Sequence, residues 1–305
     1  MFRAAIVKRL GEREYLNPGH PACHGCGFAI SLRHILKAAG ENTIFVVPAG
    51  CTSIVAGTHK KATFTVPFYH TAFAASPAVA SGIVEALERR GKSNINVIVW
   101  AGDGSTYDIG FASLSGAAER GHNLLYICND NEAYMNTGIQ RSGGTPRGAW
   151  TTTTWEGKRE AKKDLFRIMM SHRIPYIATA TPAYPLDLYN KVKKALSIRG
   201  FKFIHVLNPC PPGWRIDTSM TIEVARRAVL SGAWILMEYE NGKLKLNPPS
   251  NTMLEKRRLP LEEYLKVQGR FKHLFKPENK WLLDRLKSDV EETWAWVKET
   301  LERQG

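Results

Sequence analysis

The sequence has no apolar run long enough to span a bilayer, and its opening stretch, MFRAAIVKRLGEREYLNPGH, lacks the hydrophobic core of an export signal. These absences predict a soluble, cytoplasmic chain with no membrane attachment. Cysteine is scarce, with five in 305 residues. One pair stands as Cys23-x-x-Cys26, and without a sign of export the pattern argues against a disulfide framework and for thiols that bind a metal or cluster. Acidic residues are in deficit, 28 against 42 Lys and Arg, for a formal net charge of +14. The basic residues are scattered, with no RNA-binding signature or helix-turn-helix pattern, so nucleic acid is not an expected partner. The excess suits a surface solvated by Lys and Arg, acidic partner subunits, or an acidic electron carrier. Internal repeats and low-complexity tracts are also missing.

What the sequence has is strand–helix alternation. Thr43–Pro48, Asn96–Gly104, Asn123–Asp130, Pro175–Ala180, Lys202–Leu207 and Ala233–Tyr239 read as buried strands. They are short, rich in Val and Ile, and bounded by Gly, Pro, Asn or Asp. Helices are predicted over Phe28–Ala39, Ser76–Arg90, Ile109–Arg120, Lys162–His172, Pro185–Ser197 and Ile222–Ser231. The alternation implies an α/β fold, a mostly parallel sheet with helices on both faces, whose ligands sit beyond the carboxyl ends of the strands. Residues 1–246 read as this domain. Residues 247–305 read as a linker, NPPSNTMLEKRRLP, followed by a helical extension. There Glu278–Gln304 predicts an amphipathic helix carrying Trp281, Leu282, Leu286, Trp294 and Val297. That helix packs on its own domain or grips another subunit.

Gly102-Asp103-Gly104-Ser105 follows one predicted strand. The glycines let the backbone approach an anion and turn sharply, the aspartate can hold a divalent cation, and the following helix start favours phosphate. The next strand ends in Asn129-Asp130-Asn131-Glu132-Ala133-Tyr134-Met135-Asn136-Thr137-Gly138. Adjacent parallel strands so deliver Asp103 and an Asn-rich loop to one sheet edge. Asp103, the Asn131 side-chain oxygen and a nearby backbone carbonyl would form half of an octahedral Mg2+ shell that a diphosphate could complete.

The cysteines fall at helix starts and strand ends: Cys23 and Cys26 in HPACHGCGFA, Cys51 after TIFVVPAG, and Cys210 after KFIHVLNP. Four thiolates suit an iron–sulfur cluster, and Cys210-Pro211 repeats a feature of ferredoxin-type runs. Structural zinc is the competing reading, though only one local knuckle is present. A thioredoxin-like redox pair would want a preceding strand, which the Cys23–Cys26 loop lacks. Cys128 lies inside an apolar strand and is expected to be a core residue without a role.

The G-D-G followed by an Asn loop resembles the fingerprint of thiamine-diphosphate enzymes. The longer string NDNEAYMNTGIQRSGGTPRGAWTTTT looks like the β-subunits of the pyruvate and 2-oxoisovalerate:ferredoxin oxidoreductases, with similarity from about Asn17 to Tyr239. This resemblance implies a thiamine-diphosphate-binding fold. It assigns Asp103, Asn131 and the Ala133 carbonyl to Mg2+. Gly102, Asp103, Gly104 and Ser105, with Asn131, Glu132, Ala133, Tyr134, Met135 and Asn136, would form the cofactor cradle. Asn136 would also face the substrate carboxylate. Cys23, Cys26, Cys51 and Cys210 would hold one [4Fe–4S] cluster beside the cofactor, Cys51 nearest to it. The reaction implied is oxidative decarboxylation of a 2-oxoacid with electrons passed singly to ferredoxin, in some members with coenzyme A, and typical of anaerobic metabolism. The partners implied are alpha, gamma and ferredoxin-like delta subunits, or a fusion of them. One of them carries the glutamate that activates the aminopyrimidine, for which no candidate stands out here.

Substrate is less defined. Family members often have an acid after HTAF where this chain has Ala74, read DIGLQALSG where it has Phe111, and in some cases are acidic at Phe28. His70 and Thr71 could lie near the site or belong to a polar turn. PAGCTSIVAG leans toward the 2-oxoisovalerate branch. Oxalate, as in the related oxalate oxidoreductase, and a non-redox thiamine-dependent decarboxylase or carboligase are the alternatives.

Overall fold

The computed structural model describes residues 10–11 and 13–304. The first nine residues, part of the stretch read above as free of an export signal, lie outside the described residues, as does Gly305.

Eight strands form one sheet: β1 (Thr43–Pro48), β2 (Phe68–Thr71), β3 (Asn96–Gly102), β4 (Leu125–Asp130), β5 (Tyr176–Ala180), β6 (Lys202–Leu207), β7 (Met237–Glu240) and β8 (Lys243–Leu246). Their order is β2-β1-β3-β4-β6-β5-β7-β8. From β2 to β5 every pairing is parallel; β7 runs antiparallel to β5, and β8 closes a hairpin on β7. The central strands are buried on both faces, which is why they read as unbroken apolar runs. Alternate residues serve opposite faces. In β3, Ile98 and Trp100 enter one core while Val97, Val99 and Ala101 enter the other.

On the first of these faces, α1 (Gly27–Ala39) packs through Leu32, Ile35 and Leu36 beside Leu188, Val192 and Ala195 of α6 (Pro185–Ser197), and the short α2 (Cys51–Ala56) joins them. On the other face lie α3 (Ser76–Arg89), α4 (Phe111–Glu119), α5 (Leu165–Ser171), α8 (Thr221–Leu230) and the long α10 (Lys280–Glu302). The short α7 (Pro211–Trp214) follows β6, and α9 (Leu261–Leu265) precedes α10. Truncating a fully buried Leu32 or Ile35 to Ala in such a core costs about 2–5 kcal/mol. Among the described residues no helix is long and apolar enough to cross a membrane.

Several expectations need correction. The helix expected from Ile109 is preceded by a π turn over Gly104–Ile109, with α4 starting only at Phe111. Gly110 N–H donates to Ser105 O at 2.9 Å, five residues back, and a Cβ on Gly110 would sit 2.2 Å from that oxygen. His70 and Thr71, for which a polar turn was one of two readings, belong to the edge strand β2. The strand predicted over Ala233–Tyr239 starts later, at Met237, and turns back as β8. The helix predicted from Lys162 begins at Leu165, where Asp164 caps it by accepting from Arg167 N–H at 3.0 Å. In α10, Leu282, Leu286, Trp294 and Val297 are buried in the core of the sheet, but Trp281 is half exposed. The stretch read as a linker is held down by Ser250, which is buried and accepts from Leu236 N–H at 2.9 Å.

Candidate functional site

Three strand tips meet at one edge of the sheet. Ala49–Cys51 leave β1, Gly102–Gly104 leave β3, and Asn131–Thr137 leave β4. Together they line a cavity of about 190 Å3, whose wall also includes Phe28, Thr52 and Phe73. Of the residues singled out from the sequence, Cys51, Gly102, Asp103, Gly104, Asn131, Ala133, Tyr134, Met135 and Asn136 all lie on it. Asn136 is exposed at its mouth. Two do not line it. Ser105 is buried and donates its hydroxyl to Phe73 O at 2.7 Å, so it braces the wall from behind. Glu132 turns its side chain away from the cavity into ion pairs with Lys162 and Arg270.

Each glycine of the G-D-G has a spatial reason. A Cβ on Gly102 would meet nothing within 4 Å, so the bare backbone faces open space. A Cβ on Gly104 would lie 2.3 Å from the Tyr134 ring, which packs against it. Tyr134 is fixed at its far end, where its hydroxyl donates to Asp108 Oδ2 at 2.9 Å.

Asp103 is buried and accepts from Ser142 Oγ at 2.5 Å. Burial, and then the charge of Asp130, push its carboxyl well above the usual range, so as a bare group it resists ionisation. Its other oxygen explains what it is for. The Asn131 Oδ1 faces Asp103 Oδ1 at 3.1 Å and Ala133 O at 2.9 Å, an acceptor against an acceptor at both contacts. Rotating the amide would replace one oxygen with a donor and relieve the conflict, and so would a cation among the three. Adjacent oxygens of an octahedral shell at Mg–O distances of 2.0–2.1 Å stand about 2.9 Å apart. The oxygen set matches that spacing, so the residues present fit a hard divalent ion.

The supporting residues were not legible as a site. Asp130, the last residue of β4, is fully buried and is met by Lys162 at 2.6 Å, His205 at 2.8 Å and the Tyr107 hydroxyl at 3.0 Å. Burial opposes its charge, but Lys162 and His205 hold its carboxyl below the usual range. Burial keeps His205 below its ordinary pKa. Ser142, Gly143 and Gly144 support the site from outside the cavity: Ser142 Oγ donates to Asp103, Gly143 N–H donates to Asp108 Oδ2 at 2.8 Å and Gly144 N–H to Ser142 Oγ at 3.1 Å. The RSGG string in the sequence was the signal for this support. Nothing local marks His205 or Arg270. Behind the Asn131 loop lies a larger cavity of about 260 Å3, lined in part by Glu132, Lys162, His205 and Trp234.

The four distant cysteines come together beside the cavity, close enough for Cys210, Cys26 and Cys23 to act on the Cys51 thiol. Cys26 precedes α1, Cys51 opens α2 and Cys210 precedes α7. The Cys23–Cys26 loop is tied to the Cys210 segment by Gly27 N–H to Pro209 O at 3.3 Å, and by Thr221 Oγ1 to Gly25 O at 2.5 Å. Burial, then the neighbouring Cys210, Cys26 and Cys23, raise the Cys51 thiol. Burial pushes Cys210 up to about 12, against a backbone hydrogen bond from Gly213. Thiols this protonated need a cation to become thiolates. Among the described residues no three His, Cys, Asp or Glu side chains close around a single metal ion. A cluster of several irons sits between its thiolates and needs them farther apart. Met135 joins the two features: it lines the cavity, and a Cβ on Gly213 would be 2.2 Å from its sulfur and 3.6 Å from Cys210 Sγ. Cys128 is buried inside β4 away from this group.

His70 and Thr71 do not line the cavity; His70 Nε2 meets Gly57 O at 2.8 Å. Of the three departures noted from the sequence, Phe28 is on the cavity wall, while Ala74 and Phe111 are not.

Comparison with known proteins converges on the same edge of the sheet. Residues 48–206, more than half of the chain, match the family described as thiamine pyrophosphate enzyme, C-terminal TPP binding domain. The ketoisovalerate oxidoreductase subunit VorB of Pyrococcus abyssi is 49% identical over 295 residues, covering 93% of this chain and 90% of VorB. The pyruvate synthase subunit PorB of Methanocaldococcus jannaschii is 50% identical over 281 residues, covering 88% and 93%. A solved 2-oxoglutarate:ferredoxin oxidoreductase from Magnetococcus marinus shares the fold, with a TM-score of 0.58 at 22% identity over 88% of this chain and 94% of that one. The chain belongs to the thiamine pyrophosphate enzymes and, within them, to the β-subunit family of the 2-oxoacid:ferredoxin oxidoreductases.

Proposed function

We propose that this chain holds thiamine diphosphate through Mg2+ at Asp103, Asn131 and the Ala133 carbonyl. Cys23, Cys26, Cys51 and Cys210 bind a [4Fe–4S] cluster beside it, and the whole serves oxidative cleavage of a 2-oxoacid with an apolar side chain. The observation that carries the reading is the Asn131 side-chain oxygen set against Asp103 Oδ1 and Ala133 O, all three residues lining one cavity at three parallel strand tips. When bound, thiamine diphosphate supplies a carbanion-type nucleophile and an electron sink. The chain's own residues do the rest. Gly102 leaves its backbone bare for the diphosphate, Tyr134 and Met135 wall the cavity, and Asn136 stands at the mouth to orient the substrate carboxylate. The thiolates, three of them at helix starts, would hold the cluster, which when bound supplies a one-electron path toward ferredoxin.

The substrate follows from the wall. Phe28 and Phe73 make it apolar, and among the described residues no Lys, Arg or His lines it. A second carboxylate, as in oxalate, would call for such a cation. Pyruvate and 2-oxoisovalerate fit better, in keeping with relatives named for pyruvate and ketoisovalerate. A volume of about 190 Å3 falls below the roughly 300–1,000 Å3 of complete cofactor sites, and no glutamate lines the cavity among the described residues. Both features support a site completed by another subunit, which brings the glutamate and, with a ferredoxin-like chain, the onward electron path. Residues 1–246 serve as the binding domain and 247–305 as its extension, in a cytoplasmic complex.

The test is anaerobic purification of the complex, metal analysis, and assay of ferredoxin reduction with pyruvate, 2-oxoisovalerate and oxalate. About four irons per chain are expected, with reduction on the first two acids. Zinc in place of iron, or activity indifferent to Cys51→Ala, would favour a non-redox carboligase. Reduction on oxalate alone would overturn the apolar-substrate reading.

A further inference from the structure

The Asn131 loop carries two of the three oxygens, with Glu132 between them. For residues two apart to aim a side-chain oxygen and a carbonyl at one point, the chain must turn sharply at the middle residue. Glu132 does so in the left-handed region, at φ 68°. That conformation costs a non-glycine residue roughly 1–2 kcal/mol, so the surroundings must hold it.

They hold it from every side. Glu132 N–H donates to Asp130 Oδ1 at 2.9 Å, and its carbonyl accepts from Thr145 Oγ1 at 2.6 Å. Its carboxylate is buried and gripped at both oxygens, by Lys162 at 2.8 Å and Arg270 at 2.6 Å. Arg270 belongs to the C-terminal stretch after residue 246 and is itself 2% exposed. Its guanidinium stacks 3.7 Å over the Trp214 ring, and Trp214 Nε1 donates to Asn131 O at 2.8 Å. Arg270 so reaches the loop twice, directly at Glu132 and through Trp214 at Asn131. Lys162 completes the balance by bridging Glu132 to Asp130 at 2.8 and 2.6 Å. Two acids and two cations form a charge-balanced network, with Asp130, Glu132 and Arg270 buried and Lys162 partly exposed, that bears on Asn131 and Ala133.

We propose that Glu132, clasped by Arg270 and Lys162, is the positioning residue of the cation site, so that the C-terminal stretch sets the chain's affinity for divalent metal. The inference rests on the reading of Asp103, Asn131 and Ala133 as Mg2+ ligands. Glu132 does not line the cavity; it acts through the two ligands that flank it. Outer partners of metal ligands typically govern affinity by roughly 10–100-fold.

The test compares wild type, Glu132→Gln, and the double variant Glu132→Gln/Arg270→Gln in the assembled complex stripped of cofactor. The double variant leaves Lys162 paired with Asp130 and no orphaned charge, so it survives where the single variant loses stability. Equilibrium dialysis with thiamine diphosphate at increasing Mg2+ gives the half-saturating metal concentration and the number of sites. Thermal unfolding of the same stripped samples reports the fold. The expected result is a Mg2+ midpoint raised roughly 10–100-fold, with full thiamine diphosphate uptake restored at high Mg2+. A midpoint within about twofold of wild type in the folded variants, or a loss of sites that Mg2+ does not restore, overturns the clasp while leaving the ligand assignment standing. Wild-type uptake that ignores Mg2+ overturns the ligand assignment and the clasp with it.

Discussion

Lys202 is the residue whose charge has nowhere to go. It opens β6 and is 3% exposed, and its one side-chain hydrogen bond goes to Asn123 Oδ1 at 2.8 Å. Burial pushes its pKa down to about 8. The unfolded value is about 10.4, so between pH ~8 and ~10.4 the unfolded chain holds more protons and stability rises with pH. Below that window both states are charged and the folded state carries the full penalty, about 3 kcal/mol for a shift of this size. Lys202→Met should therefore raise the melting temperature at pH 7 and flatten its rise above pH 8. Melting curves of both proteins from pH 6 to 10.5 check this; parallel profiles would refute it. At the same scale, Asp103→Asn should abolish Mg2+-dependent thiamine diphosphate uptake, a loss of at least about 100-fold if one charged ligand of a carboxylate-held ion is removed. Most of the cavity-lining residues on β3 and β4 were readable because they fall in two contiguous strings, Gly102–Gly104 and Asn131–Asn136, whereas Thr52 and Phe73 lie outside both and carry no such pattern. Arg270 and His205 were not, because they meet Glu132 and Asp130 across 138 and 75 residues and no local pattern records such pairing.

At the scale of elements, the π turn and the cysteine loop each depend on a glycine. Gly110→Ala would press a methyl against Ser105 O, 2.2 Å away in backbone that cannot yield cheaply. A cost of about 1–3 kcal/mol is expected, read as a lowered urea midpoint. Gly25 stands at φ 68° with Thr218 O only 2.1 Å from where a Cβ would be. Gly25→Ala should displace Cys23 and Cys26 and lower iron content per chain, while dialysis finds thiamine diphosphate uptake unchanged. Loss of both together would show that the two sites are not separable. The parallel strands were legible because burial on both faces makes them plainly apolar. β2 was missed because Phe68–Thr71 is a short, half-buried edge, and β8 because Lys243–Leu246 puts charge at every second position. A π turn has no sequence signal beyond the glycine that permits it.

At the scale of the whole molecule, α10 is part of the core. Its Leu282, Leu286, Trp294 and Val297 are buried on the sheet face that carries α3 to α5. Each contributes about 2 kcal/mol, a sum comparable with the roughly 5–15 kcal/mol that holds a domain folded. A chain ending at Asn279 should accumulate as aggregate, measurable by its soluble fraction after expression beside the full chain. A monomeric, cooperative melt from the shortened chain would show instead that α10 is dispensable. The alternation of apolar residues made this helix legible in sequence, but not which side of it Trp281 would take.

Arg270 carries one more consequence. The residue that neutralises Glu132 is made 138 positions after it, and domains fold as the chain emerges from the ribosome at about 5–20 residues per second. For that interval Lys162 is the one cation on the Glu132 carboxylate, and the turn otherwise rests on Asp130, Thr145 and Trp214. The order of translation therefore sets a clock: most of the sheet is made before Arg270, and the loop from Asn131 to Ala133 gains its last ion pair only when Arg270 in the final fifth of the polypeptide has arrived.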